Sequence, residues 1–333
     1  MGNRAARRWW GFGAAVAALA MVLAACTPPP NDPGAPPTTL EPLPEPPSEF
    51  SVLTYNIAGL PQGISGSNPE RNIPLISPLL NDYDVVLTQE DFDWWVPIAG
   101  LLDFANYHTR LRADAVHPWR TARHPGPEAV GVDASSRGLL VGDGIGIMAK
   151  YPLYDERVAA WHDCFGGALP PGAADCLAMK GFRMVRMVLG DGAEVDVYSL
   201  HAEAGGTAQD QALQVENYIQ LAEAVEEWSA GRAVIVGGDT NLHIGDHPDG
   251  SAGEDAEIWA TFLARVGLTD SCAELSCPNT DSIDKIAYRS GGGVELSALT
   301  HDMPVERFRT ASGEDLSDHP PVVVEFGWDR AAG

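Results

Sequence analysis

The stretch "VIVGGDTNLH", residues 234–243, opens on three β-branched residues, passes through two glycines and then presents Asp239, Thr240 and Asn241. Gly, Asp and Asn are common turn formers, so taken alone this is a strand running into a turn. The pattern gains weight because it recurs. "FSVLTYNIAGL" alternates apolar and polar residues, as a half-buried strand does, and reaches Asn56; "YDVVLTQED" reaches Glu90; "AEVDVYSLHAE" delivers His201. "GDGIGIMAKYPL", "FRMVRMVLG", "DSIDKIAYRS" and, after Pro320-Pro321, "VVVEF" are further strands. Ala212, Val215, Ile219, Ala222 and Val225 step by three or four and predict an amphipathic helix over 209–228. Many strands, few helices and no internal repeat predict mixed sheets packed face to face with helices outside.

The chain has 333 residues, and 45% hydrophobic content is that of a globular core. Arg4, Arg7 and Arg8 precede the apolar run "WWGFGAAVAALAMVLAAC", the layout of a secretory signal over residues 1–25. Leu23-Ala24-Ala25-Cys26 resembles a bacterial lipobox, which implies export, a lipidated Cys26 and anchoring to the cell membrane or outer surface. The competing reading is an uncleaved anchor. Sec export is the plainer reading of Arg7-Arg8 than a twin-arginine signal. Residues 26–48 hold the lipidated Cys and the tract "TPPPNDPGAPPTTLEPLPEPPS", a semi-rigid extended tether. The catalytic domain is expected over 49–333.

Four cysteines follow Cys26. Outside the cytoplasm an even count reads as disulfides, and short spacing predicts Cys164 with Cys176 and Cys272 with Cys277. Zinc competes weakly, since neither pair is CxxC with a histidine at ligand spacing. All 46 acidic residues but only 18 of the 21 basic ones lie after Cys26, leaving −28 on that part. Such a surface repels polyanions and disfavours nucleic acid as a partner. The glycines of "GDGIGI" lead into an extended run rather than a helix, so a dinucleotide fingerprint fails, and no nucleophile elbow or Walker motif is present.

Asn56, Glu90, His201, Asp239, Asn241, Asp284, Asp318 and His319 all fall at or beside strand ends. Acids, amides and histidines only are what a hard-metal phosphoryl site needs. Magnesium wants oxygen ligands and keeps water and substrate phosphate in its shell, while histidines move protons and an Asp can orient each. The pair Gly237-Gly238 is expected to let the backbone turn close to a phosphate. His108, His117, His124, His162, His243, His247 and His301 are expected in solvated loops, with His243 and His247 beside Asp246 and Asp249 as a minor cation candidate.

The ordered set "TYNIAGLP", "VVLTQEDFD", "GDGIGIMAKYPL", "YSLHAE", "VIVGGDTNL", "SIDKIAY" and "LSDHPPV" resembles the endonuclease/exonuclease/phosphatase superfamily. The resemblance runs from Phe50 to Phe326 and implies the DNase I-like α/β (α+β) fold, a four-layer α/β/β/α sandwich of two mixed sheets. "QEDFD", "DCLAMKGF" and "LRADAVHPWRT" look most like the bacterial sphingomyelinase C branch. By that resemblance Asn56 and Glu90, with Asp318 nearby, hold Mg2+ or another divalent cation such as Mn2+ or Co2+. Asp239 and Asn241 place the attacking water and a phosphate oxygen, His319 is base or acid oriented by Asp284, and His201 serves the pentacovalent phosphorus or the leaving group. The implied activity is a monomeric phosphodiesterase acting on a phosphoester, a membrane phospholipid such as sphingomyelin foremost. An extracellular nuclease or phosphomonoesterase and a non-catalytic binding lipoprotein are the alternatives. The chain departs from the pattern in "SLHAEAG", in Thr240, and in Trp94 where the branch tends to carry an Asn for an edge metal. Trp94 and Trp95 suit either a lipid-facing rim or the core.

Overall fold

The chain divides into Met1–Pro44 and Glu45–Gly333. The computed structural model describes residues 48–331 except 61, 63–64, 94–105, 134–140, 168–174 and 245–253. Cys26, Trp94, Trp95 and His247 lie outside the described residues, and so do the signal segment and all of the tether except Ser48.

Two six-stranded sheets dominate. The first joins β1 (Glu49–Asn56), β2 (Val85–Gln89), β3 (Trp119–Arg120), β4 (Gly146–Ala149), β11 (Val294–Asp302) and β12 (Val322–Arg330) in the order β11-β12-β1-β2-β4-β3. The second joins β5 (Leu153–Ala160), β6 (Gly181–Val188), β7 (Glu194–His201), β8 (Ala233–Asp239), β9 (Thr269–Asp270) and β10 (Asp284–Arg289) in the order β5-β6-β7-β8-β10-β9. Period-two side-chain alternation sorts each central strand into two cores. Phe50 and Val52 of β1 enter the core between the sheets with Leu87, Val197, Ile235 and Val324. Leu53 and Tyr55 point the other way, against Ile73 and Ile76 of α1 (Pro69–Leu79) and Leu111 of α2 (Tyr107–Leu111). Val234 and Val236 of β8 meet Leu221 and Val225 of α3 (Ala208–Trp228) and Phe262 of α4 (Asp255–Val266). A short α5 (Ser271–Leu275) follows β9. The layering is the expected α/β/β/α sandwich.

The expected helix over 209–228 forms, entered through Thr207, whose side chain accepts from Asp210 N while Asp210 Oδ2 accepts from Thr207 N at 2.9 Å. This is a capping box with Asp in the usual Glu position. Both expected disulfides, Cys164–Cys176 and Cys272–Cys277, are present. The second precludes zinc at the Cys272, Cys277 and His301 group.

The glycine pair has a different purpose from the one expected. Gly237 and Gly238 lie buried inside β8, not in a turn. A Cβ on Gly237 would stand 2.8 Å from Leu87 Cδ1 of the facing sheet, and one on Gly238, at φ +148°, 2.1 Å from Leu200 O of β7. Close strand approach, not phosphate access, requires glycine here. Gly238→Ala is expected to destabilise the fold by about 3 kcal/mol or more. Gly231→Ala, at φ +69° with open space around its Cβ, should cost about 1–2 kcal/mol. Urea unfolding of the two variants makes the comparison.

Candidate active site

Strand register delivers the polar residues to one edge. Parallel pairing of β7 with β8 sets His201 opposite Asp239, and antiparallel pairing of β8 with β10 sets Asp239 opposite Asp284. On the other sheet Asn56 ends β1 opposite Gln89, with Glu90 next. Gln89 braces the two sheets, accepting from Thr54 Oγ1 at 3.3 Å and donating to Ser199 Oγ at 3.1 Å.

Asn56 joins the halves. Its Nδ2 donates to Glu90 Oε1 at 3.1 Å and to Asp239 Oδ2 at 2.9 Å, and its Oδ1 accepts from Ala58 N at 3.0 Å. Asp239 Oδ2 also lies 3.3 Å from His201 Nε2 and 3.8 Å from His319 Nε2. His319 Nδ1 stands 2.8 Å from Asp284 Oδ2, and the His319 backbone N donates at 3.1 Å to Ser317 Oγ, which itself donates to Asn56 O at 2.7 Å. Asn241 N donates to Asp239 Oδ1 at 3.1 Å, and Asn241 Nδ2 to Ala202 O at 3.0 Å. Asp318 stands exposed at the rim, its Oδ1 3.5 Å from Ser317 Oγ.

Backbone strain gathers here. Glu90 and Asn241 hold φ of 57° and 49°. Asn tolerates that region, whereas Glu rarely adopts it, and such strain persists where surrounding structure imposes it. Gly59 is part of the imposition, since any Cβ there would fall 2.0 Å from Glu90 O.

Thr240 now has a physical account. Its N and Oγ1 both donate to Ile283 O, at 2.8 and 2.5 Å, and its O accepts from Tyr218 Oη at 2.9 Å. A β-branched hydroxyl thus ties the exit of β8 to the entry of β10, holding Asp239 beside Asp284.

The two histidines carry different charge states. Burial and the nearby Lys180 ammonium push His201 well below the usual imidazole range, so it is neutral. Burial opposes the charge of His319 too, but Asp284 and Asp239 outweigh it and raise its pKa to about 10. Divergent environments for paired titratable groups are how acid and base roles are divided. Burial raises the Glu90 carboxyl, with Lys180, Asn56 and His319 pulling against it.

The oxygen donors suit a hard cation. The Glu90 and Asp239 carboxylates converge on Asn56 Nδ2, while Asn56 Oδ1 accepts from Ala58 N; two such carboxylates are oxygen ligands of the kind magnesium takes. The raised Glu90 marks a buried carboxylate whose charge lacks full compensation. Asp239, Asp284 and His319 also bring ligand atoms within 4.8 Å of one another, but His319 Nδ1 and Asp284 Oδ2 are already engaged with each other at 2.8 Å.

Lys180 was not among the expected site residues. It ion-pairs with Asp175, donates to Ala202 O at 3.3 Å, and lends positive charge to Asp239 and Glu90. Its signal was the "DCLAMKGF" segment, where Asp and Lys stand five apart. Beside it Glu203 is fully buried, accepting from Phe165 N at 2.7 Å, and burial together with the Asp175 charge pushes its carboxyl up to about 8. The stability due to the neutral carboxyl is full below the ordinary 4.5 and lost as pH rises through about 8. Glu203→Gln should therefore flatten the fall in unfolding free energy between about pH 5 and pH 8, read by urea titration at both ends.

Two expected solvated histidines are not solvated. His108 is buried on α2, its Nδ1 3.2 Å from Asp91 Oδ2, where Arg112 also binds. His117 is fully buried with Nε2 2.9 Å from Tyr83 O. His301 lies on β11 near Ser271 Oγ, 3.1 Å away. Each has found a structural partner, which spacing in sequence does not reveal.

No family model matches the chain. It is 33% identical over 296 residues to the protein named sphingomyelinase from Mycobacterium tuberculosis and, equally, from Mycobacterium bovis. The match covers 84% of this chain and 52% of the relative, so the chain spans about half the length of the curated relatives it matches. Among solved structures, sphingomyelinase C from Streptomyces griseocarneus superposes with TM-score 0.56 at 19% identity, covering 83% of this chain and 99% of the other. Beta toxin from Staphylococcus aureus with bound magnesium ions gives 0.56 at 17% identity, covering 85% and 100%. An endonuclease/exonuclease/phosphatase from Beutenbergia cavernae gives 0.57 at 19% identity, covering 86% and 72%.

Proposed function

We propose that this member of the endonuclease/exonuclease/phosphatase superfamily is a divalent-metal-dependent phosphodiesterase that hydrolyses a phospholipid, with sphingomyelin the leading substrate. The observation that carries the reading is the sharing of one carboxylate oxygen, Asp239 Oδ2, by a neutral and a cationic imidazole, His201 and His319. Asp239, kept ionised despite burial by His319, His201 and Lys180, accepts a proton of the attacking water and fixes its direction. His319, held by Asp284, delivers its proton to the departing alkoxide. Lys180 lends positive charge beside Asp239 and Glu90, and Asn241 stiffens the Asp239 turn. Glu90, with Asn56 beside it, would hold a divalent ion, which would supply charge neutralisation at the phosphate.

The substrate class is supported by the relative named sphingomyelinase and by the acidic surface, which repels nucleic acid. The site is further proposed to work outside the cytoplasm, as an exported monomer tethered through lipidated Cys26. Among the described residues no helix is long and apolar enough to cross a membrane. Incubating the full chain with sphingomyelin micelles, bis-nitrophenyl phosphate and plasmid DNA, with magnesium or with EDTA, tests the function. The expected result is EDTA-sensitive phosphocholine release and intact plasmid. Nicked plasmid without phosphocholine release would replace the lipid reading with the nuclease one.

A further inference from the structure

Glu203 follows His201 by two residues, in the "SLHAEAG" stretch where the chain departs from the superfamily pattern. It is fully buried. Its Oε1 accepts from Phe165 N at 2.7 Å, and its Oε2 meets no hydrogen-bond partner among the described residues. From the segment before β6 come Asp175, which accepts from Ala204 N at 3.3 Å, and Lys180, which ion-pairs with Asp175. From α3 come Asp210, engaged in the Thr207 capping box, and two neutral amides: Asn217 accepts from Glu203 N at 2.9 Å, and Gln214 donates to Glu203 O at 3.1 Å. The backbone of this segment is part of the catalytic edge. Ala202 N donates to Asp239 O at 3.0 Å, while Ala202 O accepts from Lys180 Nζ at 3.3 Å and from Asn241 Nδ2 at 3.0 Å.

Two of these carboxylates, Asp175 and Glu203, act on one largely buried ammonium, Lys180. Neighbouring buried carboxylates cannot both ionise cheaply, so the set retains a proton. Asp175 has the ion pair and the Ala204 amide, whereas Glu203 has a single amide and an oxygen with no partner. The proton therefore rests on Glu203, whose carboxyl is pushed up to about 8 by burial and by the Asp175 charge, with Asp210 adding to the same effect. In that state the Lys180 charge acts on Asp239 and Glu90. A phosphodiester is anionic and gains charge on oxygen as water adds, so a cation behind the site favours reaction. An ionised Glu203 sets a negative charge against Lys180 and cancels that contribution.

We propose that Glu203 is a positioning residue under proton control: its neutral carboxyl keeps the Lys180 charge available to the phosphate site, and its ionisation withdraws that charge and slows turnover on the alkaline side. The proposal rests on the phosphodiesterase reading of the site. Glu203 acts through Lys180 and touches no reacting atom. Its proton exchanges with water, and no other bond is made or broken.

The pH dependence of kcat/KM, which follows ionisations of the free enzyme, tests this on the full chain with bis-nitrophenyl phosphate and magnesium. Wild-type kcat/KM should fall about threefold to tenfold between about pH 7 and pH 9, with an inflection at about 8. In Glu203→Gln, whose amide cannot ionise, that inflection should disappear. In Asp175→Asn, which removes the neighbouring charge, it should move to lower pH. Infrared difference spectra of wild type against Glu203→Gln read the same proton without turnover: a protonated-carboxyl band should be present at neutrality and vanish as pH passes about 8. An inflection unchanged in Glu203→Gln belongs to another group, such as Lys285, which burial pushes down to about 8, and overturns the proposal. Absence of the carboxyl band at neutrality overturns it too. A wild-type chain that shows the band yet hydrolyses no diester at any pH removes the phosphodiesterase reading instead.

Discussion

His319→Gln lowers turnover of a phosphodiester by about two to four orders of magnitude, the range for losing a positioned acid, with little change in KM. The imidazolium donates in the transition state, so its removal strikes kcat. Asp284→Asn should cost less, because it leaves His319 in place while weakening its orientation and its charge. Stability separates this account from mere packing. His319 is raised from 6.5 to about 10 by Asp284 and Asp239 against the effect of burial. Its stabilisation is therefore complete below 6.5 and lost as pH climbs through 10. The stability gap between wild type and His319→Gln should be widest near pH 6.5, narrow above it and close in strong alkali, read by urea unfolding across pH without metal. A gap of constant size would mean that the ring contributes shape rather than charge.

With Glu90 as a metal ligand, Glu90→Gln is expected to abolish stabilisation by magnesium. A ligand that binds the folded chain alone at a hundredfold its Kd adds about 2.7 kcal/mol, and a domain of this size gains about 2–4 °C in Tm per kcal/mol. The wild-type Tm should thus rise by roughly 5–10 °C in saturating magnesium, and the Glu90→Gln Tm should not. Without metal the order reverses. Burial raises the Glu90 carboxyl, so its charge at neutral pH opposes folding, and the amide relieves that cost while keeping an oxygen 3.1 Å from Asn56 Nδ2. Differential scanning calorimetry of both proteins, with magnesium and with EDTA, gives the four values. A wild-type Tm indifferent to magnesium would disconnect Glu90 from any metal.

What could be read from sequence was set by periodicity. Strands such as 50–56 and 182–188 are rich in apolar residues because one face meets the other sheet and one meets a helix, and the polar strand ends stand out against those runs. α1 went unread because Pro74 and Pro78 sit inside it, and β11 because its outer face is exposed and irregular. The contact of Asn56 with Asp239 spans 183 positions; it depends on the registers of two sheets and on how they face, neither of which is written locally. Lys180 was missed for a related reason. It precedes β6 rather than ending a strand, and its value lies in the Asp175 that holds it. Thr240 looked arbitrary until Ile283 O was beside it. The sense of the histidines also needed three dimensions, since the sequence set both beside strand ends and only burial and neighbouring charge make one neutral and the other cationic.

The most direct measurement is hydrolysis of sphingomyelin by the full chain in magnesium and heavy-oxygen water, with mass analysis of both products. Water attack on phosphorus from the Asp239 side predicts phosphocholine carrying one heavy oxygen, unlabelled ceramide, and no release in EDTA. Label in the ceramide alcohol, release that survives EDTA, or no phosphocholine at all would contradict the assignment of this site.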